Sequence, residues 1–197
     1  MMIQYYGNNL IKKDIKKGKK IIEELLEWLE VPQTDSTKDT PERVAKMYLE
    51  IFEGLHTKPP QIKTFQEGEP YSYVCISNNY FTSFCSHHLL PFTGKCGIVY
   101  VVNDSGIVIG LSKIPRIINY FSSKPQLQEI LTKEIAEYIM KTLKPLGLYI
   151  VMSGRHSCME IRGVKAKGSI TNTAVMRGDI DKEEAIRLLQ INNFFGD

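Results

Sequence analysis

The sequence predicts an α+β fold, and three observations lead there. Helical apolar spacing fills the chain up to Pro59-Pro60; β-prone segments follow, with two helices set among them; and strands do not alternate one for one with helices, as a parallel βαβ sheet would require. In chain order, Ile15, Ile21, Ile22, Leu25, Leu26 and Leu29 recur at helical spacing, with Trp28 beside that face and Val31-Pro32 ending it. A polar loop through Ser36-Thr37-Lys38-Asp39 leads to Thr40-Pro41. These read as an N-cap followed by proline at the first helical position, where its missing N–H costs nothing. Val44, Met47, Tyr48, Ile51 and Phe52 carry the apolar face of this second helix, and Gly54 stops it.

The prolines divide the chain into an N-terminal helical segment, 1–60, arranged as a helical hairpin, and a main domain, 61–197. Strands are expected over 71–76 and 95–102. Asn103-Asp104-Ser105-Gly106 is turn chemistry that predicts a hairpin into Ile107-Val108-Ile109. Ser112 caps a short helix with Pro115 in its first turn. Leu127, Ile130, Leu131, Ile135, Tyr138, Ile139 and Leu143 give the clearest helical stripe, which Lys144-Pro145-Leu146-Gly147 stops. Strands are then expected over 148–152 and 158–164, joined through Ser153-Gly154-Arg155, and over 170–176. Asp181-Lys182-Glu183-Glu184 resembles a capping box opening a C-terminal helix, with Ile186, Leu188 and Leu189 free to pack. Long hydrophobic strands with few covering helices leave open edges, which favours oligomerisation.

A hydrophobic content of 43% and a charged content of 24% over 197 residues are those of an ordinary globular protein. No apolar run reaches the length of a membrane span, and Met1-Met2-Ile3-Gln4-Tyr5-Tyr6 lacks the layout of a secretory signal. Four cysteines without regular spacing suit a reducing compartment, so the cytoplasm is expected. The net charge of +3 comes from a lysine cluster over 12–20, which reads as the solvated start of the first helix. No aromatic residues alternate with those lysines to stack bases, and neither nucleic acid nor membrane is expected as a partner.

The chemistry concentrates in two pieces: Phe84-Cys85-Ser86-His87-His88-Leu89-Leu90-Pro91-Phe92 and, far downstream, His156-Ser157-Cys158. Together they hold two of the four cysteines and three of the four histidines. Thiolate and imidazole bind zinc at about 2.0–2.3 Å. Three protein ligands leave a fourth position for a water whose pKa the metal lowers to about 7. Cys85, His88 and Cys158 are the expected ligands, with His87 and His156 left to move protons. A structural site would want a fourth Cys or His ligand. Cys75 and Cys96 could each supply one, so spacing alone leaves a structural staple open.

Several separate motifs resemble those of the GTP cyclohydrolase I family. They are Thr40-Pro41-Glu42-Arg43-Val44-Ala45-Lys46-Met47-Tyr48; Cys85-Ser86-His87-His88-Leu89-Leu90-Pro91-Phe92; Ile109-Gly110-Leu111-Ser112-Lys113; Gln126-Leu127-Gln128-Glu129; and His156-Ser157-Cys158-Met159 with Arg162-Gly163-Val164. The resemblance implies the tunnelling fold, an antiparallel sheet with paired helices on one side, assembled as a homodecamer with active sites between subunits. It implies conversion of GTP and water to 7,8-dihydroneopterin triphosphate and formate, with one Zn2+ per subunit on Cys85, His88 and Cys158. On the same resemblance, a metal-activated water attacks guanine C8, His156 protonates N7 as the ring opens, and His87 is a second proton carrier. Ser112 assists the rearrangement of the ribose. Arg43, Lys46, Lys113, Arg116 and Arg162 would hold the triphosphate, and Glu129, with Gln128 beside it, the guanine N–H groups. Two positions depart from the family pattern. Ser86 replaces a glutamate next to the ligands, and Ile130 stands where an arginine commonly follows the Gln-Glu pair.

Overall fold

β-Branched and aromatic residues dominate the long segment from Tyr73 to Cys85, and it forms one 13-residue strand around which the rest is laid. The structure, a computed structural model, describes residues 8–196, with side chains from residue 15 onward. The reading of the Met1–Tyr6 stretch, and the side chains of Lys12 and Lys13, lie outside the described residues. The chain divides into two compact units, Met1–Glu53 and Gly54–Asp197.

In the first unit, α1 (Asn8–Trp28) and α2 (Thr40–Ile51) pack together. The helices approach closely where Gly18 meets Ala45: a Cβ added at Gly18 would lie 3.1 Å from that of Ala45. Ile22, Ala45 and Pro41 are buried, whereas Ile21, Leu25, Trp28 and Leu29 are exposed. Lys19 and Lys20 face Glu23 and Glu24 one turn on, so this part of the lysine cluster forms i,i+4 ion pairs. The N-cap of α2 is Asp39 rather than Thr40, and its side chain makes no capping bond.

In the second unit, five strands run in the order β5-β2-β3-β6-β7: Pro125–Gln126, Tyr73–Cys85, Pro91–Val101, Gly147–His156 and Thr171–Gly178. All neighbours are antiparallel except β2 and the two-residue β5. Two helices, α3 (Lys113–Ser122) and α4 (Gln128–Leu143), cover one face. Ile114, Ile117 and Ile118 of α3 and Leu131, Ile135 and Ile139 of α4 pack there with Phe92, Ile98, Tyr100, Ile150 and Met152. The opposite face receives the C-terminal helix α6 (Lys182–Ile191), whose Ala185 and Leu189 pack with Val99, Val101, Tyr149 and Val151. The α+β class and the helix pair on one side are as the sequence predicts.

Four local expectations are corrected. Ile107–Ile109 (β4) does not form a hairpin with the preceding strand. The turn exists, with Gly106 N–H donating to Asn103 O at 2.9 Å, but β4 pairs with β1 (Thr64–Gln66) while β3 is flanked by β2 and β6. The segment 158–164 is not a strand: the chain leaves the sheet at His156 and turns through the short helix α5 (Ser157–Glu160). Ser112 stands at the N-cap of α3 without a side-chain capping bond. Asp181 does cap α6, accepting from Glu183 N and Glu184 N at 2.8 and 3.2 Å. The reciprocal half of the box is absent, because the Glu184 carboxylate pairs with Arg187.

Candidate active site

Strand β2 ends at Cys85, where the chain makes a tight turn. Cys85 C=O accepts from Leu89 N at 2.8 Å, Cys85 N donates to Leu90 O at 2.9 Å, and Leu89 takes a positive φ of 55° to close it. Ser86 N adds a bond to Gln126 O of β5 at 3.2 Å. The turn presents His87 and His88 with Nδ1 atoms 3.8 and 3.9 Å from Cys85 Sγ. Cys158, in α5, comes to the same place from the end of β6. One ligand atom from each of Cys85, His88 and Cys158 lies within 4.8 Å of the others. Bonds of 2.0–2.3 Å in a tetrahedron put ligand atoms about 3.5–3.8 Å apart, so the set fits a small divalent cation with little movement. Two thiols and an imidazole are the donor chemistry zinc prefers over oxygen-seeking magnesium or calcium.

Electrostatics fit the same reading. Burial pushes the Cys158 thiol up, and its hydrogen bond with Cys85 adds to this, so the Cys158 sulfur holds a proton that a cation would displace. Neither Cys75 nor Cys96 belongs to the group: Cys75 receives a bond from Asn192, and Cys96 is fully buried in the core with its thiol pushed up by desolvation. Among the described residues the group holds three candidate ligands, and neither Cys75 nor Cys96 supplies the fourth that a staple would want.

His156 faces Phe92 across the β3–β6 pair and stacks on its ring at 4.6 Å. Its Nε2 lies 2.8 Å from Gln128 Oε1. Burial lowers its pKa, and the nearby Glu129 carboxylate opposes that. Gln128 is itself 1% exposed, with its amide spent on protein groups. Thr132 and Thr173 complete this buried network. Neither stood out in the sequence, although Thr132 lies one helical turn after Gln128. Arg162 reaches the centre, bonding His88 Nε2. Ser112, Lys113 and Arg116 stand at the start of α3, and within the first unit Arg43 and Lys46 pair with Asp39 and Glu42.

Fold and site together define an α+β protein with a Cys–His–Cys group that could hold a metal ion, an arrangement that would leave a coordination position open. A family model described as GTP cyclohydrolase I matches residues 18–193. GTP cyclohydrolase 1 of Caldanaerobacter subterraneus subsp. tengcongensis is 44% identical over 176 residues, covering 88% of this chain and 93% of the relative. GTP cyclohydrolase 1 of Saccharolobus islandicus (strain Y.N.15.51 / Yellowstone #2) is 44% identical over 174 residues, 84% of each chain. Among solved structures, the apo form of the archaeosine synthase QueF-Like aligns at a TM-score of 0.46 and 12% identity, over 57% of this chain and 99% of its own. The chain belongs to the GTP cyclohydrolase I family of enzymes.

Proposed function

We propose that this protein converts GTP and water to 7,8-dihydroneopterin triphosphate and formate, using one Zn2+ per subunit held by Cys85, His88 and Cys158. The observation that carries the reading is the convergence of those ligand atoms within 4.8 Å in a chain of this family. Zinc bound there would supply Lewis acidity that lowers a water's pKa to about 7, giving a nucleophile for guanine C8 at neutral pH. His156, held against Phe92 and Gln128, delivers a proton to N7 as the ring opens. His87, exposed beside the ligands, is the second proton carrier. Glu129 is exposed at the first turn of α4 and takes the guanine N–H groups, while Ser112 assists the ribose rearrangement.

Lys113, Arg116 and Arg162, with Arg43 and Lys46, hold the triphosphate, for which a guanidinium offers paired donors. Sites shared between copies in a homodecamer would bring these cations to one triphosphate. Strand β7 supports assembly: it pairs only with β6 among the described residues and leaves an open edge. In this reading a helical segment at 1–60 accompanies a catalytic domain at 61–197. No helix among the described residues is long and apolar enough to cross a membrane. The four cysteines are free thiols, which supports a cytoplasmic setting.

The test is to incubate metal-analysed protein with GTP and quantify formate and pterin together. Equal amounts of both, at about one zinc per chain, are expected. Folded, zinc-loaded protein that releases neither would overturn the reading.

A further inference from the structure

We propose that Gln128 is a positioning residue that keeps one proton of His156 on Nε2, so that Nδ1, bare in the resting neutral ring, is the nitrogen that takes up a second proton and passes it to the substrate. The assignment follows from the partners of the Gln128 amide. One end lies 3.1 Å from Met152 O and 3.0 Å from Thr171 O, two backbone carbonyls on neighbouring strands. Carbonyl oxygens only accept, so this end is the NH2 group and both its protons are committed. Thr173 Oγ1, at 3.1 Å, presents a lone pair to the same group. The Thr132 hydroxyl donates to Gln128 O, which leaves the Thr173 hydroxyl to donate to Thr132 Oγ1. Every neighbour of the NH2 is therefore an acceptor, and the amide cannot turn over.

The other end is then fixed as the carbonyl oxygen, and it lies 2.8 Å from His156 Nε2. An acceptor there requires that Nε2 carry the proton. The packing enforces the same geometry. Gln128 is 1% exposed, and a Cβ at position 154 would come within 2.7 Å of Gln128 Oε1, so glycine at 154 makes room for the amide. Phe92, stacked 5° from parallel with the imidazole, fixes its plane. A hydrogen-bond partner that sets the tautomer and orientation of a working histidine is a recognised device in enzyme sites. Here a neutral amide fills the role, itself oriented by the sheet backbone.

The inference rests on the catalytic role proposed for His156, but its first readout does not. Zinc-loaded protein labelled with 15N-histidine, measured by solid-state NMR at pH 8 with His156→Asn to identify its signals, should show a protonated Nε2 and an unprotonated Nδ1. A protonated Nδ1 in the unaltered protein would overturn the proposal, whether or not the protein turns over GTP. In Gln128→Leu the His156 signals should become a mixture of tautomers, and kcat should fall about 10- to 100-fold with KM for GTP unchanged. A raised KM at unchanged kcat would instead make Gln128 a direct substrate contact and refute the positioning role. Should Gln128→Leu fail to fold, the measurement on the unaltered protein still decides.

Discussion

The two arms of the candidate metal centre are built to different standards of rigidity. The Cys85 arm is the end of a long strand flanked by β3 and β5, its turn closed by backbone bonds on both sides, with Cys85 only 6% exposed. The Cys158 arm is a single helical turn followed by a largely exposed stretch from 161 to 170. That stretch bends at Gly163 and Gly168, both at positive φ with open space where a side chain would stand. One arm thus presents two ligands three residues apart on a preformed turn, and the other brings the third on a segment with little packing of its own. A metal bound by such a group would couple its binding to order in the weaker arm.

The largest expected effects are those of the ligand substitutions. Cys85→Ala and Cys158→Ala should both bring zinc content and formate release to background. Their metal-free proteins should differ: Cys85→Ala loses a buried group and costs about 1 kcal/mol, whereas Cys158→Ala stays within about 0.5 kcal/mol. Equal losses in denaturant melts would erase the distinction between the arms. Next in size, removing zinc with a chelator should speed amide exchange over 157–170 by at least about tenfold while leaving 83–91 nearly unchanged. Uniform acceleration over both segments would show that neither arm is preformed.

The same contrast explains what the sequence revealed. The Cys85, His88 and Cys158 group was legible as a candidate because thiols and imidazoles concentrate in two short pieces of the chain, and α4 was legible because its buried stripe is continuous from Leu131 to Leu143. The sequence predicts strand only over 71–76, whereas β2 runs on through Ser77-Asn78-Asn79 to Cys85. That stretch is a register shift inside the strand, with Asn78 at φ 55°, and pairing with β3 carries the strand past it. The Asn103–Gly106 turn was read correctly as a turn and wrongly as a hairpin, because turn residues fix a local bend while the choice of partner strand belongs to the sheet. Gln128 is the sharpest case. A glutamine in the first turn of a helix has the composition of a surface residue, and its burial depends on Gly154 and on carbonyls of β6 and β7 that no local pattern announces.

The smallest expected effect probes what holds the weaker arm without metal. The Glu160 carboxylate accepts from Arg155 Nε at 2.9 Å and from Gly168 N at 3.3 Å, tying the end of α5 to both sides of the exposed stretch. The Arg155 bond is the larger cause of a carboxyl held below its ordinary value of 4.5. A depressed folded value means the stabilisation is complete above about pH 4.5 and is lost as pH falls through the folded pKa. Glu160→Gln should therefore weaken zinc binding at pH 7 by only a few-fold. The melting temperatures of the metal-free Glu160→Gln and unaltered proteins should differ at pH 7 and converge as the pH is taken well below 4.5. A gap that persists at low pH would mean that Glu160 acts through packing rather than charge, and that the second arm is held by more than this one carboxylate.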